Sequence, residues 1–385
     1  MSAAEQGIVP AQEAHANATT PGAVIPPQLT RASAADQGAR SSQGTRASTA
    51  DQGVQGAVSP QETRAGGVWL VADVGGTNAR FALVDGPDGV PSNVQSLPTR
   101  DYPGLAEAAA AYLEKSGVRP SAACLAVAGP TAGGTFHLTN AGWPKGTVEA
   151  VRAHLGVPHL DIINDFEALA LALPRLTADD LIVIGERAPA AGAPVAVVGP
   201  GTGLGVAGLV PTPSGWVPVP GEGGQVDVPA ATDREIEVTR LLRAEKGAVP
   251  AEYLLSGAGL ARVHRYLAAL DGEPAEELTA KQICERRDDP RCDEAVRMFC
   301  ALLGSLAGNV ALTFGARGGV YLGGGILPRI VDVLRDSAFR ARFEGKPPVE
   351  DYVRAIPTAL IVHPGPALVG AAVRLAQSLP DLEHA

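Results

Sequence analysis

Val68-Trp-Leu-Val-Ala-Asp-Val-Gly-Gly-Thr-Asn-Ala-Arg-Phe-Ala-Leu-Val-Asp85 is an apolar run, a glycine turn and a second apolar run. Its first half, up to Val74, is continuous enough to read as a buried strand, and Phe81 to Asp85 reads as a second strand after the turn. Gly86-Pro-Asp-Gly89 behind them is turn chemistry. Inside this stretch, Asp73-Val-Gly-Gly-Thr-Asn-Ala-Arg80 ends a strand with an acid, turns on Gly75 and Gly76, and continues with Thr77 and Asn78. Glycine lets a backbone pass close to a ligand. The N–H groups of such a turn, with a hydroxyl beside them, can hold phosphate oxygens. An Asp at a strand end can bind Mg²⁺, usually through water, which makes Asp73 a candidate metal ligand. Taken alone, the stretch is equally an ordinary glycine hairpin.

The same grammar returns in the second half. Val195-Ala-Val-Val198 is a strand, Gly199-Pro-Gly-Thr-Gly-Leu-Gly-Val-Ala207 comes after it, and Gly205 to Val210 reads as the hairpin partner. Gly201, Thr202 and Gly203 occupy the turn. No Gly-Lys-Ser/Thr ends it, so it is not a Walker A loop. It also runs into a strand-like segment where a dinucleotide fingerprint needs a helix, which disfavours a Rossmann-type dehydrogenase. A third turn lies in Gly318-Gly-Val-Tyr-Leu-Gly-Gly-Gly-Ile-Leu-Pro328, where a strand stops at Gly323, Gly324 and Gly325 before an expected helix. Such a turn suits the flat approach of an adenosine.

Around these turns the chain alternates strands and helices. Helices are expected over Leu105 to Glu114, over Phe166 to Leu173 with a stop at Pro174, from the capping box Thr232-Asp-Arg-Glu235 to about Lys246 with Gly247 closing it, and over the apolar Arg297 to Phe314. Further strands are read at Cys124–Ala128, Leu160–Ile163, Val320–Leu322 and Ala359–Val362. The alternation predicts an α/β fold with both sheet faces covered. Residues 1–66 differ: they are rich in Ala, Gln, Gly, Ser and Thr, and Arg31-Ala-Ser-Ala-Ala-Asp-Gln-Gly recurs as Arg46-Ala-Ser-Thr-Ala-Asp-Gln-Gly. That composition buries too little apolar surface to fold, so a disordered low-complexity tail is expected.

Of the 385 residues 45% are hydrophobic, enough for a sizeable core, and the net charge of −10 argues against binding nucleic acid or anionic membranes. Cys124, Cys284, Cys292 and Cys300 form no CxxC pair, so zinc is not expected and reduced thiols in a cytoplasmic setting are. There is no secretory signal pattern and no apolar run of a membrane span's length.

Three segments carry polar residues suited to a polyhydroxylated ligand. Leu138-Thr-Asn140 lies just before Trp143-Pro144, Ile162-Ile-Asn-Asp-Phe-Glu-Ala-Leu169 ends a strand with Asn164 and Asp165, and Pro220-Gly-Glu-Gly-Gly-Gln-Val-Asp227 sets Glu222 and Gln225 on a glycine-rich turn. These segments and the glycine turns, six motifs in order over about residues 68 to 378, resemble the bacterial glucokinase family of the actin-like sugar-kinase ATPases. The resemblance implies a two-lobed, ribonuclease H-like α/β fold with a central cleft. Its lobes would be residues 67–175, completed by a C-terminal helix over 366–380, and residues 176–365. It also implies ATP with Mg²⁺, each lobe contributing one phosphate hairpin (Asp73, Gly75, Gly76, Thr77 and Asn78; Gly201, Thr202 and Gly203), and Gly323–Gly325 against the adenosine.

A sugar hydroxyl is a poor nucleophile, so a base must take its proton as the phosphoryl group moves. In kinases that base is commonly an Asp. Asp165 is the candidate here, and the resemblance assigns it the same role. Asn140, Asn164, Glu222 and Glu252 would bind sugar hydroxyls, together with Asp165. Asn164-Asp165 also reads as a helix N-cap ahead of Phe166. Where the family pattern resembles Glu-Gly-Gly-His-Val, this chain has Gln225, which can donate and accept but carries no charge. The expected function is ATP-dependent phosphorylation of D-glucose to glucose 6-phosphate. The alternatives are a kinase for another hexose and a sugar-binding regulator without turnover. A homodimer is one assembly expected for such a chain. His137, His154, His159, His264 and His363 form no constellation, and Trp143 and Trp216 read as packing residues.

Overall fold

The structure is a computed structural model that describes residues 67–379 other than Thr139 and Glu186. The tail expected over residues 1–66, and Pro380 at the end of the expected last helix, lie outside the described residues.

The opening stretch folds as the hairpin its pattern predicts. Strands β1 (Val68–Val74) and β2 (Asn78–Asp85) pair antiparallel, with Val74 opposite Ala79 and Asp73 opposite Arg80. Strand β3 (Ser92–Pro98) continues the meander. Helix α1 (Leu105–Ser116) stops where Gly117 turns left-handed at φ 67°, and β4 (Ala122–Val127) returns parallel beside β1. A small sheet of β5 (Thr131–Ala132), β6 (Thr135–Phe136) and β7 (Gly146–Thr147) precedes α2 (Val148–Leu155), whose N-cap Thr147 accepts from Ala150 N–H. Strand β8 (His159–Asn164) then lies parallel to β4, so the first sheet runs β3-β2-β1-β4-β8.

Helix α3 (Asp165–Ala172) begins at the residue after β8 with no loop between them. It ends at Ala172, just before Leu173-Pro174, and Pro174 sits in a 3₁₀ turn, Leu173–Arg175, where a missing N–H is tolerated. The chain continues through β9 (Leu181–Gly185), β10 (Val195–Pro200), β11 (Leu204–Thr212) and β12 (Gly215–Gly221). Helix α4 (Asp233–Lys246) has the predicted capping box at Thr232 and the predicted left-handed Gly247, at φ 76°. After it come α5 (Gly257–Leu270), α6 (Ala280–Glu285) and α7 (Pro290–Phe314). Helix α7 starts well before the predicted Arg297, because Asp289 caps it and Pro290 fits its first position. Strand β13 (Gly319–Leu322), helices α8 (Val331–Asp336), α9 (Phe339–Glu344) and α10 (Glu350–Arg354), strand β14 (Thr358–Ile361) and helix α11 (Pro366–Ser378) complete the chain.

The second sheet runs β12-β11-β10-β13-β14-β9. Its first five positions repeat the first sheet: a three-strand antiparallel meander whose first strand pairs with a parallel strand that in turn pairs with a second one. Strand β9 adds an antiparallel edge.

Alternation along the strands builds three cores. Leu70, Ala72 and Val74 of β1 face one outer layer with α1, and Ala196 and Val198 of β10 face the other, around α7. Trp69 and Val71 share the middle core with Val195, Val197, Ala207 and Leu209 of the second sheet. Helices α3 and α11 fill that middle layer and touch backbone to backbone: a Cβ on Gly370 would fall 1.7 Å from the Ala168 carbonyl oxygen. Helix α7 has the length and hydropathy of a membrane span, but 83% of its most apolar window is buried inside the fold, as in a core helix. The four thiols are buried and unpaired.

Candidate active site

In an open α/β sheet, ligands bind beyond the carboxyl ends of the parallel strands, where the chain leaves the sheet. The candidate residues collect at those ends: Asp73 on β1, Asn164 and Asp165 at the end of β8, Gly201–Gly203 after β10, and Gly323–Gly325 after β13.

The first turn is held from outside its own hairpin. Thr99 Oγ1 donates to the Gly76 carbonyl at 2.8 Å, and Thr99 N–H donates to Thr77 O at 3.0 Å. A Cβ on Gly76 would lie 2.7 Å from Asn140 Cβ, so only glycine lets the turn pass beside Asn140. Thr77 and Asn78 are exposed. Asp73 and Arg80 stand opposite each other in the hairpin with their charged groups 4.0 Å apart, and Arg80 Nη1 also donates to Pro364 O at 2.7 Å. Burial raises the Asp73 carboxyl and Arg80 partly offsets this.

Asn164 is a helix cap in fact as well as in pattern. Its Oδ1 accepts from Phe166 N–H at 2.9 Å and Glu167 N–H at 3.3 Å, while Nδ2 donates to Gly129 O at 3.2 Å. Asp165, the first residue of α3, accepts from Phe166 N–H through Oδ1 at 3.1 Å. Burial first, and then the charge of Asp73, push its carboxyl from 3.8 up to about 7. A group poised there is half ionised near neutrality, which suits a general base.

The second turn is gripped by Glu252, whose Oε2 accepts from Leu204 N–H at 2.9 Å. Gly257 N–H donates to Gly201 O at 2.9 Å. On the other side of Leu204, a Cβ at Gly224 would lie 2.1 Å from its carbonyl oxygen, so the 222–225 turn lies flat on β11. Glu252, Glu222 and Gln225 are thereby gathered around one backbone residue. Glu222 and Gln225 are exposed, and Gln225 N–H donates to Glu222 O at 3.0 Å. Glu252, expected from the sequence only as a sugar ligand, therefore also has a structural bond to the hairpin.

Gly323 N–H donates to Val198 O at 2.9 Å, and Gly324, at φ 87°, packs against Pro200 O. The chain then makes a 3₁₀ turn, Leu327–Arg329, and only afterwards enters α8, because Pro328 interrupts the predicted helix. A pocket of about 340 Å³ opens here between Arg80, Leu169, Gly323–Gly325, Pro328 and residues 361–364. A larger cavity of about 480 Å³, by Gly117 and Gly156 at the ends of α1 and α2, holds none of these residues.

The structure thus forms two groups, one on each sheet: Asp73, Gly75, Gly76, Asn140, Asn164 and Asp165, and Gly201–Gly203, Glu222, Gln225 and Glu252. Phe166 joins them, and sequence reasoning passed over it as an ordinary apolar residue. Trp143 is a packing residue, as read: it is buried and its Nε1 donates to Tyr102 O at 2.8 Å. His264 is buried in α5.

The glucokinase family pattern matches residues 70–378. The glucokinase of Chromobacterium violaceum is 47% identical over 314 residues, which is 80% of this chain and 90% of that protein. The glucokinase of Klebsiella pneumoniae is 44% identical over 313 residues, 80% of this chain and 97% of that protein. The crystal structure of glucokinase from an Antarctic psychrotroph superposes with a TM-score of 0.72 at 38% identity, covering 80% of this chain and 98% of that one. A ROK family glucokinase from Streptomyces griseus, solved with glucose and AMPPNP, shares the fold with a TM-score of 0.56 at 21% identity, over 80% of this chain and 98% of that one.

Proposed function

Because the chain belongs to the glucokinase family, we propose that it phosphorylates D-glucose with ATP, giving glucose 6-phosphate and ADP, in a cleft between two lobes of an actin-like, ribonuclease H-like fold. The lobes are residues 67–175 with the C-terminal helix, and residues 176–365. The repeat of strand order between the sheets, with a glycine hairpin at the same place in each, supports this frame.

The observation that carries the reading is the Asp165 carboxyl at the end of β8, pushed up to about 7 and joined through Phe166 to the second glycine hairpin. Asp165 takes the proton from the sugar 6-hydroxyl on its carboxylate, which Phe166 N–H holds at Oδ1. The hydroxyl oxygen forms its bond to the γ-phosphorus while the bond to the β,γ-bridging oxygen breaks and ADP leaves with that electron pair. Such transfer depends mostly on positioning and on charge stabilisation. Backbone N–H groups of the Gly75–Asn78 and Gly201–Gly203 turns hold the phosphates, Gly323–Gly325 lie against the adenosine, and Asn140, Asn164, Glu222, Gln225 and Glu252 bind the sugar. Steady-state assay of glucose 6-phosphate formation across a hexose panel, with Asp165→Asn beside the wild type, tests it. A wild type that turns over no hexose, or an Asn variant with wild-type kcat, overturns it.

Mg²⁺ fits the donor set. Two carboxylates, Asp73 and Asp165, repel each other at the phosphate end, and no group of three or more metal-ligating side chains occurs among the described residues. That matches an ion held by a single carboxylate, water and substrate phosphates rather than by a protein cage. Asp73 would hold it, and the ion would neutralise charge on the phosphoryl oxygens.

Gln225 favours a second reading, a preference for another hexose, because it replaces the His of the family pattern on the sugar side. A cytoplasmic enzyme without nucleic-acid or membrane partners is part of the proposal, and a homodimer is compatible with it.

A further inference from the structure

Gly199 and Gly205 stand directly opposite each other on β10 and β11. A Cβ on Gly199 would lie 2.7 Å from Phe166 Cζ, and one on Gly205 would lie 2.0 Å from Phe166 Cδ2. Neither glycine has a positive φ, so it is space, not backbone freedom, that requires glycine at both positions. The ring thus lies in a slot made by a cross-strand pair with no side chains, at the base of the Gly201–Gly203 turn.

We propose that Phe166 is a positioning residue for phosphoryl transfer, holding the Asp165 carboxylate in register with the Gly201–Gly203 turn; this rests on the reading of Asp165 as the base. Phe166 is attached to both sides. Its N–H donates to Asn164 Oδ1 and to Asp165 Oδ1, so its backbone sets the carboxylate's orientation, while its ring sits on the other sheet's hairpin. The rest of α3 cannot shift to make up a loss, because Ala168 is locked against Gly370 of α11. Geometry near the reacting atoms is demanding: a displacement of about 1 Å is worth on the order of 100-fold in rate.

The test is a double-mutant cycle on the full chain with Phe166→Ala, Gly205→Ala and the pair, plus Phe166→Leu. The readouts are kcat, KM for glucose and for ATP, glucose affinity by calorimetry, and Tm. Phe166→Ala is expected to lower kcat by about 100-fold while KM for glucose and its binding constant stay within about threefold. Phe166→Leu should recover much of kcat, and would serve as the folded variant if the Ala chain fails to fold. Gly205→Ala should lower kcat by displacing the ring. Combined with Phe166→Ala it should cost no more than either alone, because the new methyl group occupies the emptied slot. Wild-type kcat in Phe166→Ala, additive losses in the pair, or a KM loss as large as the kcat loss would overturn the proposal. A wild type without hexose kinase activity would overturn the functional reading along with it.

Discussion

Asp73 and Asp165 stand at the ends of two strands that flank β4 in one parallel set, and the negative charge of Asp73 adds to burial in raising the Asp165 carboxyl to about 7. The two acids are neighbours only because β8 returns beside β4, long after β1 in the chain. Burial, with their coupling added, gives one of them a pKa that a solvated Asp does not have. It also gives the other a reason to recruit a cation, since both are held as anions in a partly buried place only at a cost.

The pH dependence of kcat/KM should show this carboxyl. Kcat/KM reports the free enzyme, so activity should fall as pH drops below about 7, with an apparent value that belongs to the coupled pair. A rate profile from about pH 5 to about pH 9 that stays flat at its acid end would contradict the assignment.

Removing the same charge should stabilise the unliganded protein. The folded-state value of Asp165 lies above its ordinary 3.8, so the fold favours the neutral carboxyl. The favourable contribution is complete below 3.8 and is lost as pH rises through about 7. Asp165→Asn should therefore raise Tm by several degrees at about pH 8 and change it little at about pH 4, while turnover nearly vanishes. Thermal denaturation at both pH values checks this, and an equal shift at the two would contradict it.

Glu252 should reveal its two attachments separately. Glu252→Gln keeps an oxygen acceptor for Leu204 N–H, so it should retain the hairpin and weaken glucose binding only. Glu252→Ala leaves that N–H unpaired, at a cost of about 1–3 kcal/mol, and should raise KM for ATP as well as for glucose. Equal KM values for ATP in the two variants would show that the bond does not support the second turn.

Gln225→His should lower KM for glucose more than it raises kcat. The side chain is exposed beside Glu222 on a turn packed against β11, so an imidazole has room. Gln gives up to about 2 kcal/mol of rotamer freedom on being ordered, and an imidazole gives up less. Contacts away from the reacting hydroxyl hold ground and transition states alike, which places the effect in KM. Kinetics with glucose, mannose and 2-deoxyglucose check it, and an unchanged or higher KM for glucose would show that Gln225 is matched to this site.

Much of the fold is written locally. Val68–Val74, the two glycine turns, the Thr232 capping box and the Gly247 stop are all visible because strand pattern, turn chemistry and capping depend on residues a few positions apart. The start of α3 follows the cap read at Asn164-Asp165, and that of α7 differs from the expected one for a local reason too: Asp289-Pro290 ahead of a charged first turn. The residue types of the proposed base and of the proposed phosphate turns were readable for the same reason.

The order of residues along the chain was therefore enough to set the strands that carry the glycine turns and to suggest the chemistry proposed for them. Which of them meet was settled in three dimensions. Nothing near Phe166 in the chain says that its ring needs Gly199 and Gly205, since that requirement arises when α3 is laid against a hairpin of the other sheet. Glu252 reads only as a hydroxyl ligand until Leu204 N–H is brought to it and adds a structural bond. The Asp165 carboxyl has an ordinary acidity until folding withdraws it from water and sets Asp73 near it. Close packing and burial act through distance in space, and residues far apart in the chain acquire that closeness only when the two sheets close on the helices between them.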